Sequence, residues 1–155
     1  MDDRKYVRVD ESMVEGAVSC ETGEGWLRPW RLPIARLDLF PDVEGLQLRA
    51  KFAAGVRLRF ATDADAFALE VLPQEAARKF DLTLDGDILH SVTLDARGTA
   101  VEFPGLPAGE NIYELWLPTN ASVELSYLAL PAGASFRVPA DPRPKWVTYG
   151  SSITH

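Results

Sequence analysis

One stretch of the sequence decides the fold class: residues 80–94, which read FDLTLDGDILHSVTL. From Phe80 to Leu84 apolar and polar residues alternate, which is the pattern of a strand with one buried face. The pair Asp85-Gly86 comes next, and these residue types readily adopt the positive φ angles of a two-residue type I′ turn. A second β-rich run, Asp87–Leu94, follows the turn. The stretch therefore predicts an antiparallel hairpin with Asp85-Gly86 at its tip.

The same alternation recurs along most of the chain and predicts further strands. A possible strand-loop-strand pair is formed by Tyr113–Leu117 and Val123–Leu128, and only Gln74–Lys79 favours a short helical turn. Many short strands separated by turn residues indicate an all-β fold, an antiparallel β-sandwich of the jelly-roll-like kind. The other predicted strands are Val56–Phe60, Phe67–Val71, Tyr6–Val9, Gly16–Ser19 and Leu46–Phe52.

Composition excludes several classes of function. The 155 residues include 16 Lys and Arg against 23 Asp and Glu, a formal charge of −7, so we expect no nucleic-acid partner. No apolar run is long enough to cross a membrane and no targeting segment is evident, so a cytoplasmic location is expected. The single cysteine, Cys20, cannot form an internal disulfide. With only His90 and His155 besides it, the sequence predicts no metal or other cofactor.

The segment Gly25–Pro33 contains Trp26 and Trp30 among arginines and prolines and interrupts the alternation. Two interpretations remain open. The segment is either a proline-stiffened crossover whose tryptophans cap the sandwich, or part of a ligand-binding surface. On the second interpretation Trp26, Trp30 and Trp116 are candidate substrate-binding residues that stack on sugars.

The composition changes near residue 139 and indicates a domain boundary. Prolines at 139, 142 and 144 predict a stiff, extended linker over residues 139–145, after a sandwich domain of residues 1–138. Residues 146–155 read WVTYGSSITH. A β-rich run that leads into Gly-Ser-Ser is typical of the first strand of an α/β domain that presents a small nucleophile at the end of the strand.

Residues 146–155 resemble the first conserved block of the SGNH, or GDSL-type, hydrolases, and residues 25–33 and 114–118 are similar to the β-sandwich domain that precedes the catalytic domain in one branch of that family. The resemblance implies that Ser152 is the nucleophile and that its backbone N–H helps to form the oxyanion hole. Ser151 stands where many members have Asp. It also implies a base and its orienting acid in an Asp-x-x-His block, with further oxyanion donors from a Gly and an Asn, all in a flavodoxin-like α/β domain.

Two functional hypotheses follow. In the first, the chain is the N-terminal accessory domain of a serine esterase or acyltransferase, and its partner is a downstream catalytic domain that acts on an acylated carbohydrate or another small ester. Because His155 lies too near Ser152 and His90 is expected to face solvent beside the hairpin turn, residues 1–155 alone are then expected to be inactive. In the second, the chain is a carbohydrate-binding module. From the first hypothesis we expect the residues after about Pro142 to be disordered, to lie against an edge of the sandwich, or to pair with another copy of the chain through the strand from Trp146.

Overall fold

The computed structural model describes residues 3–148, which fold into two antiparallel β-sheets. Alternating apolar side chains from both sheets fill the space between them, as the sequence pattern requires. The strands are β1 (Arg4–Arg8), β2 (Val14–Glu15), β3 (Ser19–Gly23), β4 (Trp26–Trp30), β5 (Arg57–Thr62), β6 (Phe67–Val71), β7 (Arg78–Leu84), β8 (Asp87–Leu94), β9 (Ala100–Phe103), β10 (Asn111–Trp116) and β11 (Leu125–Pro131).

The strand order confirms the predicted fold class. Sheet 1 has the order β3-β4-β11-β6-β9, with β1 also paired to β11, and sheet 2 has the order β2-β5-β10-β7-β8. From β4 onwards the chain crosses between the sheets at every connection except the β7–β8 hairpin. The resulting orders, 4-11-6-9 and 5-10-7-8, form a jelly-roll-like antiparallel sandwich.

The predicted hairpin is confirmed at its turn. Asp85 and Gly86 both have positive φ angles, 52° and 90°, which is the backbone of a type I′ turn. The strands on either side, β7 and β8, pair antiparallel from Arg78 opposite Leu94 to Leu84 opposite Asp87. Local residue types were sufficient for the turn and the pairs next to it, Leu84 with Asp87 and Thr83 with Ile88, whereas an irregularity between Thr83 and Leu82 shifts the register of the rest of the hairpin by one residue.

Aromatic rings from both sheets meet in the core. Phe60 of β5 packs edge-to-face on Phe67 of β6 at 5.2 Å, and Phe67 lies 5.0 Å from Phe103 of β9. Such pairs add to the stabilisation that comes from removing their apolar surface from water. The fully buried side chains also include Leu58, Leu69, Leu82, Leu115, Leu125, Leu128 and Leu130.

The segment Gly25–Pro33 is not only a crossover, because Trp26–Trp30 forms strand β4. Pro29 lies opposite Cys20 of β3, whereas β11 pairs with β4 at Leu27 alone. Beyond Leu27 the ladder on the β11 side has ended, so a residue without a backbone N–H is tolerated there.

The predicted strand Leu46–Phe52 is wrong. A π-helical turn, Val43–Gln47, runs directly into one α-helical turn, Leu48–Ala50. The carboxylate of Asp42 accepts hydrogen bonds from the backbone N–H groups at the start of this unit and therefore favours helical turns over the local alternation. Short 3₁₀ helices also occur at Glu11–Met13 and Ile34–Leu39.

Three smaller predictions also differ from the structure. Gln74–Lys79 contains no helix, because β7 already begins at Arg78. Of Gly16–Ser19, only Ser19 belongs to a strand. The strands β10 and β11 are not paired with each other, since β10 lies in sheet 2 and β11 in sheet 1.

Candidate functional site

The residues that follow β11 return to sheet 2 and lie beside the edge of β5. Arg137 pairs antiparallel with Ala61 of β5 through two backbone hydrogen bonds of 2.9 and 3.1 Å. Two residues on, the carbonyl of Pro139 accepts a 2.9 Å hydrogen bond from the guanidinium of Arg59. The linker therefore runs back along β5, from the end of that strand towards its beginning.

Four charged side chains fix this path, and we call them the linker clamp: Arg59, Glu114, Asp141 and Arg143. The strand alternation that buries Leu58 turns Arg59 outward, and Glu114 of β10 lies opposite it in register. Nε of Arg59 is 3.8 Å from a carboxylate oxygen of Glu114 and 3.8 Å from one of Asp141.

Arg143 closes the clamp from the linker side. Its guanidinium donates to both carboxylate oxygens of Asp141 and to Glu114. These hydrogen bonds, together with the charge of Arg59, hold the pKa of Asp141 well below its ordinary value, and the same contacts raise the pKa of Arg143. The side chains of Asp141 and Arg59 are each 8% exposed, so the linker shields this ion pair from water.

Beside the clamp, Trp116 lies on the same outer face. The guanidinium of Arg57 sits 4.9 Å from the centre of its ring, and its indole N–H donates to the hydroxyl of Thr83 at 3.2 Å. Arg57 is itself held by Glu15 at 2.8 Å and by Glu114 at 3.1 Å. A protein cation therefore already covers one face of this tryptophan.

A second network lies on the outer face of sheet 1, and we call it the Arg28 network. Arg28 pairs with Glu21 at 2.9 Å and with Glu124, and its guanidinium lies 5.1 Å from the ring centre of Trp26. Trp30 donates its indole N–H to Glu21 at 2.9 Å. Burial alone would lower the pKa of Arg28, but hydrogen bonds and charges from Glu124 and Glu21 raise it.

The three predicted substrate-binding tryptophans do not share one surface. Trp26 and Trp30 belong to β4 of sheet 1, and Trp116 belongs to β10 of sheet 2. Trp30 is 4% exposed, with the ammonium of Lys51 5.1 Å from its ring centre. The structure thus provides no common stacking platform from these three rings.

The predicted nucleophile Ser152 lies outside the described residues. His90 does not face solvent as expected, because it is half-buried with its ring 6.2 Å from that of Phe103.

Burial, followed by the charge of Glu11, raises the pKa of the Cys20 thiol to about 11, so this group is protonated at neutral pH.

Over residues 3–148, no three side chains of His, Cys, Asp or Glu come together in a way that could hold a metal ion. Within the same range, the helices are too short and too polar to span a membrane.

None of the predicted site residues belongs to the linker clamp. Arg59 and Glu114 could have been found as outward positions on predicted strands, and Asp141 and Arg143 as charges in the proline-rich segment. Nothing local shows that the chain returns to β5 some 80 residues after Arg59.

Comparisons with known proteins give a consistent result. The family model for the SsfX3 N-terminal domain matches residues 13–126. A salicylyl-acyltransferase, SsfX3 from a tetracycline biosynthetic pathway, is 29% identical in sequence, and the superposition covers 93% of this chain and 44% of that one with a TM-score of 0.80. The chain therefore spans less than half the length of this relative. No curated protein matches the chain.

Two more distant structures share the fold. A GDSL-like lipase from Bacteroides ovatus has 16% identity and a TM-score of 0.63 over 90% of this chain and 44% of its own. A family two carbohydrate esterase from Cellvibrio japonicus has 16% identity and a TM-score of 0.58 over 89% of this chain and 36% of its own. The resemblance to the sandwich domain of SGNH or GDSL-type enzymes is thereby confirmed, and the chain belongs to the family of SsfX3 N-terminal domains.

Proposed function

We propose that this chain is the N-terminal accessory domain of an SGNH or GDSL-type enzyme that hydrolyses or transfers an acyl ester. The observation that carries the proposal is the likeness to SsfX3, which extends over 93% of the chain and so reaches beyond the family match at residues 13–126. Because SsfX3 acts in a biosynthetic pathway and shares more sequence than the carbohydrate esterase, an acyl ester of a small molecule is the substrate class we favour.

In this proposal Ser152 is the nucleophile and its backbone N–H contributes to the oxyanion hole. A serine hydroxyl needs an oriented base to accept its proton. Within residues 3–148 the one histidine is His90, whose ring packs on Phe103. We therefore assign the base and its orienting acid to a domain that follows the linker, and we assign no proton transfer to the sandwich.

The contribution of the sandwich is to orient the chain that enters the catalytic domain. The linker clamp holds the backbone as far as Arg143, which leaves only Pro144 and Lys145 between the clamp and the predicted nucleophile block at residues 146–155. A short linker that is anchored at one end confines the domain that follows it to a small volume. The two domains therefore meet at a high effective concentration. The clamp therefore favours one arrangement of the two domains over a freely jointed pair.

Hydrolysis of a p-nitrophenyl acyl ester tests the proposal. The protein extended by its natural downstream sequence should release p-nitrophenol, and Ser152→Ala should lower the rate by roughly a thousandfold or more. The matched control Ser151→Ala changes the neighbouring hydroxyl. Residues 1–155 alone should be inactive. Activity of residues 1–155 that disappears with Ser152→Ala, or activity of the longer protein that survives this substitution, would show the assignment to be wrong.

A further inference from the structure

The long connection between β4 and β5 exposes aliphatic side chains. We call residues 34–48 the crossover platform. Four of its side chains are strongly exposed within ten residues: Leu39 at 57%, Val43 at 63%, Leu46 at 47% and Leu48 at 45%. Single exposed aliphatic residues are common on any protein, but a local group of four marks an interaction surface.

The crossover platform is a built unit held by its own polar groups. The carboxylate of Asp42 caps the π-helical turn by accepting the N–H of Gly45 at 2.9 Å. A side chain at Gly45 would place its Cβ 2.2 Å from that carboxylate, so the cap needs glycine there. The amide of Gln47 donates to the carbonyls of Phe40 at 2.6 Å and of Leu37 at 3.4 Å. The backbone therefore holds these aliphatic side chains out into solvent.

The platform and the linker lie towards the same end of the sandwich. The connection leads into the beginning of β5. There the backbone N–H of Leu117, the residue just after β10, donates a 3.0 Å hydrogen bond to the carbonyl of Val56. The linker passes Ala61 at Arg137 and Arg59 at Pro139, and so it advances towards that same end. From Arg137 to Pro139 the linker thus runs towards the end of the sandwich at which the connection from the crossover platform enters β5.

We propose that the crossover platform is the surface on which the catalytic domain docks, an inference that rests on the proposed function. In SsfX3 more than half of the chain lies outside the region that matches this sandwich, so a partner of sufficient size exists in the family. The occupant is an apolar patch of that downstream domain. Trp146 and Val147, which follow the linker, are both 88% exposed and add two uncovered apolar side chains to the chain that leaves the clamp. The clamp sets the direction of the second domain, and the platform supplies the apolar area that holds it in place.

Hydrogen exchange measured by mass spectrometry tests the inference on the protein extended by its natural downstream sequence. Amides of residues 34–48 should exchange about tenfold more slowly in the extended protein than in residues 1–155. Leu39→Ser, Val43→Ser, Leu46→Ser and Leu48→Ser in one variant should abolish this difference and increase the radius of gyration in solution scattering. The control is Ile88→Ser, since Ile88 is 65% exposed at the hairpin, near the opposite end of the sandwich.

The possible outcomes separate this inference from the proposed function. Ser152-dependent ester hydrolysis with equal exchange at residues 34–48 in both proteins would overturn the docking surface and leave the enzyme assignment intact. Loss of Ser152-dependent hydrolysis from the extended wild-type protein would instead remove the proposed function. Sedimentation that shows residues 1–155 to dimerise, with the dimer lost in the four-serine variant and no added protection in the extended protein, would make a second copy the occupant and overturn the proposal.

Discussion

The outer faces of the two sheets carry similar sets of side chains and use them differently. On sheet 1, Arg28 lies over Trp26 and pairs with Glu21 of β3 and with Glu124, the residue just before β11. On sheet 2, Arg57 lies over Trp116 and shares Glu114 with the linker clamp. The first network joins β3, β4 and the residue that leads into β11, whereas the second has linker residues as members. Arginine–glutamate pairs beside a tryptophan therefore stabilise the strands on sheet 1, whereas on sheet 2 they also hold the linker.

The largest expected effect comes from breaking the Arg28 network at Glu124. The side chain of Glu124 is 13% exposed and accepts from Arg28 and from the amide of Gln74. Glu124→Ala leaves both donors without this partner, and we expect the free energy of unfolding to fall by about 2 kcal/mol. Urea unfolding measures this change, and Glu102→Ala, at an exposed position of β9, is the control. An unchanged midpoint for Glu124→Ala would contradict the role of this network in fastening the strands.

The second prediction concerns the linker clamp. Glu114→Ala should lower the free energy of unfolding by only about 1 kcal/mol, because Arg57 keeps Glu15 and the exposed part of the clamp is screened by water. Its main effect should be on the linker, which is released from β5. Trypsin cleavage between Arg137 and Val138 should then become roughly fivefold faster, since a protease needs several undocked residues on each side of the bond.

Arg143→Gln is the companion variant for this experiment, because it removes one of the two linker residues of the clamp and alters no strand. The bond after Arg143 precedes Pro144 and resists trypsin, so the substitution does not change the set of cleavable sites. We expect the same acceleration at Arg137 with no change in the urea midpoint. If both variants kept the wild-type cleavage rate, the backbone pairing of Arg137 with Ala61 would suffice to hold the linker.

How far the sequence could predict these features depends on how local their causes are. The β7–β8 hairpin follows from alternation and from Asp85-Gly86, which act within a few residues of each other. The last residues of the crossover platform were predicted to begin a strand because Leu46–Phe52 alternates, while the residue that caps the helical turn, Asp42, lies outside that pattern. Strand β4 was hidden by Pro29, which only the limited pairing with β11 makes tolerable.

The functional residues divide in the same way. Ser152 was predicted from a contiguous block and stays a prediction, since it lies outside the described residues. The linker clamp joins Arg59 of β5 to Asp141 of the linker, and no short-range pattern connects two such positions. Charge complementarity across a long loop becomes visible only when the topology shows which faces meet.

The smallest expected effect is the release of the linker from sheet 2 at low pH. The pKa of Asp141 is lowered chiefly by hydrogen bonds from Arg143, and those of Asp63 and Glu110 are lowered by bonds from Ser135 and Arg137 on the same returning segment. A carboxylate whose pKa is lower in the folded state stabilises that state above its ordinary pKa, which is 3.8 for Asp and 4.5 for Glu, and loses this contribution as pH falls through the lowered value.

The linker should therefore stay docked as pH falls to about 4.5, the ordinary Glu value, and leave the sandwich progressively below about 3.8, the ordinary Asp value, as these carboxylates become protonated. Amide chemical shifts of residues 137–143, followed from pH 6 downwards, measure the release, and those of core strand β5 report whether the sandwich itself is still folded. Asp141→Asn should weaken this pH dependence without removing it. Protonation of Asp63 and Glu110 still weakens their hydrogen bonds to Ser135 and Arg137. Release of the linker in wild type above pH 5 would mean that these carboxylates do not hold it, and the distinction between the two faces would then rest on backbone pairing alone.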